Sequence, residues 1–185
     1  MRTRAIVLIS MLILAGCAAT PEKLQSVASS ESARLLPPSK PLASFSSFEL
    51  QPMVLGSAVT REEGKVEEAK DLENRLREIV QPMLARWNAV PKSDQSGTLV
   101  IEPRLASLKI VSGGARFWAG AFAGDSNIDL DLVLVEKETG QKIASPRIKL
   151  ETGAFTGAWS IGASDQNLKD YIAHTAGQYL LDNYK

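Results

Sequence analysis

Ser126-Asn-Ile-Asp-Leu-Asp-Leu-Val-Leu-Val-Glu136 places Ile128, Leu130, Leu132 and Leu134 at every second position, with Asp129 and Asp131 between them. A two-residue apolar period marks a strand with one face in a core and the other in water. Glu138-Thr139-Gly140 follows as a turn and Gln141–Glu151 returns as a partner strand, so the two form an antiparallel hairpin. Before the hairpin, Thr98–Ile110 reads as a strand, with Leu99, Ile101, Leu105 and Leu108 among its apolar positions. Pro103 has no N–H to give a ladder and predicts an edge position or a bulge there. Ala43–Gln51, with Phe45, Phe48 and Leu50, is a further strand, bulged near Ser46-Ser47 and ended by Pro52.

Between these strands, Thr60-Arg61-Glu62-Glu63 matches a capping box that starts a helix. From there Val66, Ala69, Leu72, Leu76, Ile79, Val80, Met83, Leu84 and Trp87 recur at three- and four-residue steps, one apolar stripe of an amphipathic helix. Pro82 lies inside it and predicts a kink or a restart, while the charges from Glu62 to Lys70 form the solvated face. Ser164 caps a last helix that turns Leu168, Ile172, Ala176, Tyr179 and Leu180 inward. The order β-α-β-β-β-α predicts an α+β fold: a mostly antiparallel four-stranded sheet with two helices packed on one face. Its first crossover can pair parallel. An exposed edge, either the Pro103 strand or Gln141–Glu151, offers pairing with a second copy.

At 185 residues and 44% hydrophobic, the chain can bury one sizeable core. Twenty-one basic against 21 acidic residues leave no basic face for nucleic acid. One Cys and one His exclude an internal disulfide framework and a zinc site of several Cys or His ligands. The N-terminus has Arg2 and Arg4, an apolar run from Ala5 to Gly16, then Cys17. The twelve apolar-run residues make roughly 18 Å of helix, against about 30 Å for a bilayer core, so residues 1–16 read as a cleaved signal peptide. The junction Leu14-Ala15-Gly16-Cys17 resembles the lipobox of bacterial lipoproteins. That resemblance implies acyl chains on Cys17, the only cysteine, and Ala18 in place of Asp implies sorting to the outer membrane, facing the periplasm. Cleavage removes two arginines and no acid, leaving 19 basic and 21 acidic residues, so the acyl chains rather than charge hold the chain to lipid. Residues 17–41, rich in Ser and Pro, read as the lipidated cysteine and a flexible tether averaging roughly 25–30 Å end to end, with room for a short helix near Lys23–Ala28 before Pro37, Pro38 and Pro41. Residues 42–185 form a single domain.

The Ser112-Gly-Gly-Ala-Arg116 turn, the Gly120–Gly124 segment, the strand Asn127–Val135, the Glu138-Thr139-Gly140 turn and the Gly-rich loop before the last helix resemble, in order and spacing, a family of uncharacterised bacterial lipoproteins. The resemblance covers most of the chain after Ser44. It implies an envelope-facing α+β domain and supplies no catalytic residues. The strand order is also similar to small domains of lipoproteins that assist cell-wall synthases or curli secretion.

The residues themselves hold no catalytic constellation. His174 sits near the apolar stripe of the last helix as a structural residue, and no Gly-x-Ser-x-Gly elbow is present. Cys17 is no nucleophile once acylated. Asp125, Asp129 and Asp131 lack calcium-loop spacing, and the glycines at 113, 114, 120 and 124 lack the Gly-Lys-Ser/Thr of a phosphate loop. No enzyme, metal or cofactor is expected. Function is expected instead at Arg116, Phe117, Trp118 and Phe122, large groups set among Gly and Ala between strands. Either these rings close over the core, or they form an exposed edge that contacts an envelope protein or the membrane. Phe155 and Trp159 form a second such patch, and at one sheet end the two would make a single docking surface. The alternative function is a carrier, with an apolar or lipid ligand between sheet and helices beside Leu76, Val80, Ile128 and Leu132.

Overall fold

The first strand of the hairpin read from the sequence lies at the centre of the sheet in the computed structural model, which describes residues 21–91, 97–110, 126–151 and 165–185. Strand β4 (Asn127–Glu136) pairs antiparallel along its length with β3 (Thr98–Lys109). On its other side it pairs antiparallel with β5 (Lys142–Ala144) and β6 (Arg147–Glu151). On the far side of β3 run β1 (Ser47–Leu50) and β2 (Val54–Leu55), both parallel to it. The sheet is mixed, six strands in four ranks. Helices α1 (Pro21–Ser32), α2 (Ser57–Thr60), α3 (Glu63–Asn88) and α4 (Asp165–Asp182) complete the described residues. The α+β class stands as expected, and the crossover from β1 to β3 pairs parallel.

Leu99, Ile101, Leu105 and Leu108 of β3 and Ile128, Leu130, Leu132 and Leu134 of β4 are at most 2% exposed. They share one core with Leu72, Leu76 and Val80 of α3 and with Leu168, Ile172 and Ala176 of α4. The two helices run side by side in the same direction: Arg75 meets Asp170, and Trp87 stacks on Tyr184 at 4.0 Å. Gly177 sets their spacing, because a Cβ there would stand 2.6 Å from Ile79 Cγ2.

Several local expectations change. Pro103 lies in a central strand: β1 pairs with β3 up to Ile101 and β2 from Arg104. Leu132, opposite Pro103, donates its N–H the other way, to Pro146 O at 3.0 Å. The missing N–H of Pro103 therefore points into the interval between β1 and β2, where no ladder bond is lost. A central β3 also removes that strand as a free edge. The returning hairpin strand is split into β5 and β6 around Ser145-Pro146, and Gly140, at φ +69°, closes the turn before it. The capping box does not form. Thr60 ends the one-turn α2 with its hydroxyl 3.5 Å from Ser57 O, and α3 starts at Glu63 with Glu62 as its extended N-cap. The helix then runs through Pro82 to Asn88 without a restart. Ala43–Gln51 is a strand only from Ser47; Leu42–Ser44 is a 3₁₀ turn.

The expected tether is ordered from Pro21 onward. Leu24 and Ala28 of α1 are buried, and Ser32 Oγ donates to Asp182 at 2.6 Å. Beyond the helix, Tyr179 donates its phenol to Leu36 O at 2.8 Å, and burial pushes the pKa of that phenol up to about 12. Ser39 N–H then bonds Ile143 O at 3.0 Å at the edge of β5.

The opposite edge, β1, is closed by one side chain. Asn88 at the end of α3 accepts from Phe48 N–H at 2.9 Å and donates to Phe48 O at 3.0 Å, copying the bonds of a neighbouring strand. Asn88→Ala strands both groups. We expect it to cost about 1–2 kcal/mol in urea unfolding, whereas Val90→Ala, at a residue 56% exposed, stays within about 0.5 kcal/mol.

Candidate functional site

Every sequence-predicted docking residue, Arg116, Phe117, Trp118, Phe122, Phe155 and Trp159, lies outside the described residues, as do Cys17 and Asp125. The structure does show where the two segments carrying those aromatics leave the fold. Residues 111–125 join the end of β3 to the start of β4, and residues 152–164 join the end of β6 to the start of α4. Register sets Lys109 beside Asn127 and Asn127 beside Glu151, so three of the four attachment points are consecutive rungs of one sheet end. Ser107, hydrogen-bonded to Asn127, ties the first two together.

The fourth point, the start of α4, is held there by charge. Lys169, in its second turn, has a side chain only 5% exposed and bonds Glu68 and, at 2.6 Å, Asp71 of α3. Asp71 also lies 3.4 Å from Arg75, which in turn bonds Asp170. The same first turns of α3 reach the sheet end. Glu62, Gly64, Lys65 and Glu68 line a groove of about 520 Å³ with Leu108, Lys109 and Ile110. All four attachment points thus gather at one end of the domain.

Three of these linked charges are shifted by their partners. The hydrogen bond from Lys169 holds the Asp71 carboxyl below its usual range, against a smaller opposing effect of burial. Burial alone would lower the Lys169 ammonium, but the bonds to Asp71 and Glu68 outweigh it and the pKa rises. Burial opposes the Arg75 guanidinium in the same way, and its bonds to Asp170 and Asp71 again outweigh it, Asp170 the more strongly. The charged face expected for Glu62–Lys70 is therefore only partly solvated, since Glu68 neutralises a buried lysine. Nothing local in the sequence sets Lys169 apart, since it stands among Asp165, Gln166, Asn167 and Asp170 at the polar start of the helix.

The remaining candidates separate. His174 is half-buried on α4, beside Ile79, Met83 and Trp87 of α3. Asp131 is engaged by Arg147 Nε at 2.6 Å and Nη2 at 2.8 Å, while Asp129 faces Ser107 and Lys149 across the ladders. Among the described residues no group of His, Cys, Asp and Glu could hold a metal ion. Leu76, Val80, Ile128 and Leu132 are fully buried members of the common core.

No family model and no curated protein matches the chain. Among solved structures, it is similar to a single-residue variant of the PelC dodecamer from Paraburkholderia phytofirmans, at 11% identity and a TM-score of 0.43, over 78% of this chain and 94% of that one. A candidate lipoprotein from Caulobacter crescentus CB15 aligns at 13% identity and a TM-score of 0.35, over 86% of this chain and 95% of that one.

Lys169→Met removes the cation and leaves two facing carboxylates. Glu68 and Asp71 are 45% and 43% exposed, so water screens them, and a loss of about 1–2 kcal/mol is expected. Because the Asp71 pKa is depressed, its contribution is full above its unfolded value and fades as pH falls through the acid range below about 4. The raised Lys169 pKa makes its contribution complete below about pH 10 and lost above. Thermal melts between pH 2 and 7 should show a steeper acid decline in the parent than in Lys169→Met.

Proposed function

We propose that the chain is a lipid-anchored, non-catalytic module of the bacterial envelope, facing the periplasm, that docks a partner protein through one end of its sheet. Cys17 carries the acyl chains, and Arg116, Phe117, Trp118, Phe122, Phe155 and Trp159 supply the contact. The convergence of four attachment points, Ile110, Ser126, Glu151 and Asp165, supports this reading. Two aromatic-rich segments far apart in sequence start and finish within one sheet end, where their rings can act together. Aromatic and arginine side chains give the largest contact energies per residue in protein interfaces. No described helix is long and apolar enough to cross a membrane, and the reading needs none, since two or three acyl chains hold a protein durably.

Photo-crosslinkers placed singly at Trp118 and Trp159 in cells are expected to capture the same envelope protein. Trp118→Ala is expected to weaken that capture by about tenfold or more with the melting temperature unchanged, as for an interface anchor. Unfolding of both Phe117→Ala and Trp118→Ala would show that the rings belong to the core and overturn the docking surface. Capture of different proteins at the two positions would overturn the single surface.

A further inference from the structure

The start of α1 limits how far the domain can stand from an anchor at Cys17. Cys17 is four residues before Pro21, and four extended residues span at most about 14 Å. From Pro21 on the chain is docked, through Leu24, Ala28 and Ser32, to α4. A tether of some 24 free residues would let the body turn in any direction; four residues joined to a packed helix do not.

The anchor enters at a definite place. Gln25, one turn into α1, bonds Gln178 of α4 at the rim of a groove of about 330 Å³. Pro82, Met83 and Trp87 of α3 line the groove with His174 and Leu181 of α4. At about 100° per residue, His174, Gln178 and Leu181 lie on the side of α4 opposite Ile172 and Ala176, which face the sheet. The groove therefore opens away from the sheet, and Leu181 stands in it 49% exposed. Arg86 and Glu78, both in its lining, offset each other, so the groove is close to neutral.

We infer that this α1–α3–α4 groove face, and not the sheet, rests on the headgroup layer of the bilayer that holds the acyl chains of Cys17. The inference rests on the reading of Cys17 as lipidated. A near-neutral groove with one exposed leucine suits zwitterionic headgroups, with no need of anionic lipid. With the helix layer toward lipid, the strands run along the membrane plane. The sheet end then points sideways, toward a partner held at the same surface.

Energy transfer tests this on the full lipidated chain in phosphatidylethanolamine-rich vesicles carrying a headgroup-attached acceptor. Acylation consumes the only native cysteine, so Leu181→Cys and Lys149→Cys each take a single donor. Lys149 lies on the outer sheet face, one layer farther from lipid at layer spacings of about 10 Å, so transfer from position 181 is expected to be about twofold more efficient. Equal transfer from both positions in vesicle-bound protein overturns the inference. A chain that fails to float with vesicles, or whose mature N-terminus carries no acyl mass, overturns the anchoring reading and this inference with it. Inserting a long Gly/Ser segment between Ala18 and Ala19 is expected to erase the difference; a difference that survives would overturn the short connection as its cause.

Discussion

Tyr171, Ile172, Ala173, Thr175, Ala176, Tyr179 and Leu180 are all fully buried, and they leave α4 only a narrow strip in water. A helix lying on a sheet hides roughly one third of its circumference, so this degree of burial needs cover from three sides. The sheet supplies one, with Leu130 and Ile148 in the common core; α3 supplies a second, close enough to require Gly177; α1 supplies the third. The rest of the molecule is arranged by that requirement. The N-terminal segment is drawn onto the domain because the outer side of α4 is too apolar to leave wet. The crossing from α1 to the β5 edge is then fixed by Tyr179, whose phenol has to find an acceptor and finds Leu36 O.

How much of this the residues announced depends on whether an element has one partner or several. Strands β3 and β4 and helix α3 each bury one face, and their two-residue and three-to-four-residue periods could be read with near-exact ends. Helix α4 was found, but its inward set of five residues undercounted its burial, because a helix covered on three sides has no single stripe. Helix α1, read only as a short helix near Lys23–Ala28 inside a free tether, was underread for the opposite reason. Leu24 and Ala28 are a faint apolar pair in a Ser-rich stretch, and they gain meaning only from the surface of α4 that waits for them. Pro103 misled because a proline is harmless wherever its neighbouring rank is interrupted, and the gap between β1 and β2 is a tertiary fact. Thr60 misled because a capping box competes with the helix before it; α2 used the threonine first.

The candidate site shows the same division. That Phe117, Trp118, Phe155 and Trp159 are unusual could be read directly from composition, but their two segments lie some thirty residues apart and nothing local joins them. The joining is done by register: Lys109, Asn127 and Glu151 are successive rungs, and a slip of one residue in either ladder would carry the whole apolar set to the wrong face. Lys169 then brings the start of α4 to the same end, through a charge pairing that no periodicity encodes.

The two proposed contacts do not compete for the same surface. Along α3, Glu68 marks the sheet end with its attachment points and Met83 marks the groove, and the fifteen residues between them make about 22 Å of helix. A partner held at the sheet end leaves the groove face free to lie on lipid. The Lys169–Glu68–Asp71–Arg75–Asp170 network starts at the sheet end and locks α3 to the first turns of α4 from Glu68 to Arg75. On the two proposals taken together, α1 fixes the domain's attitude, the network keeps the two helices in step, and a partner at the sheet end is met at a set height above the membrane. Binding then begins with translation and rotation already restricted, which is where a long free tether would have lost most of its affinity.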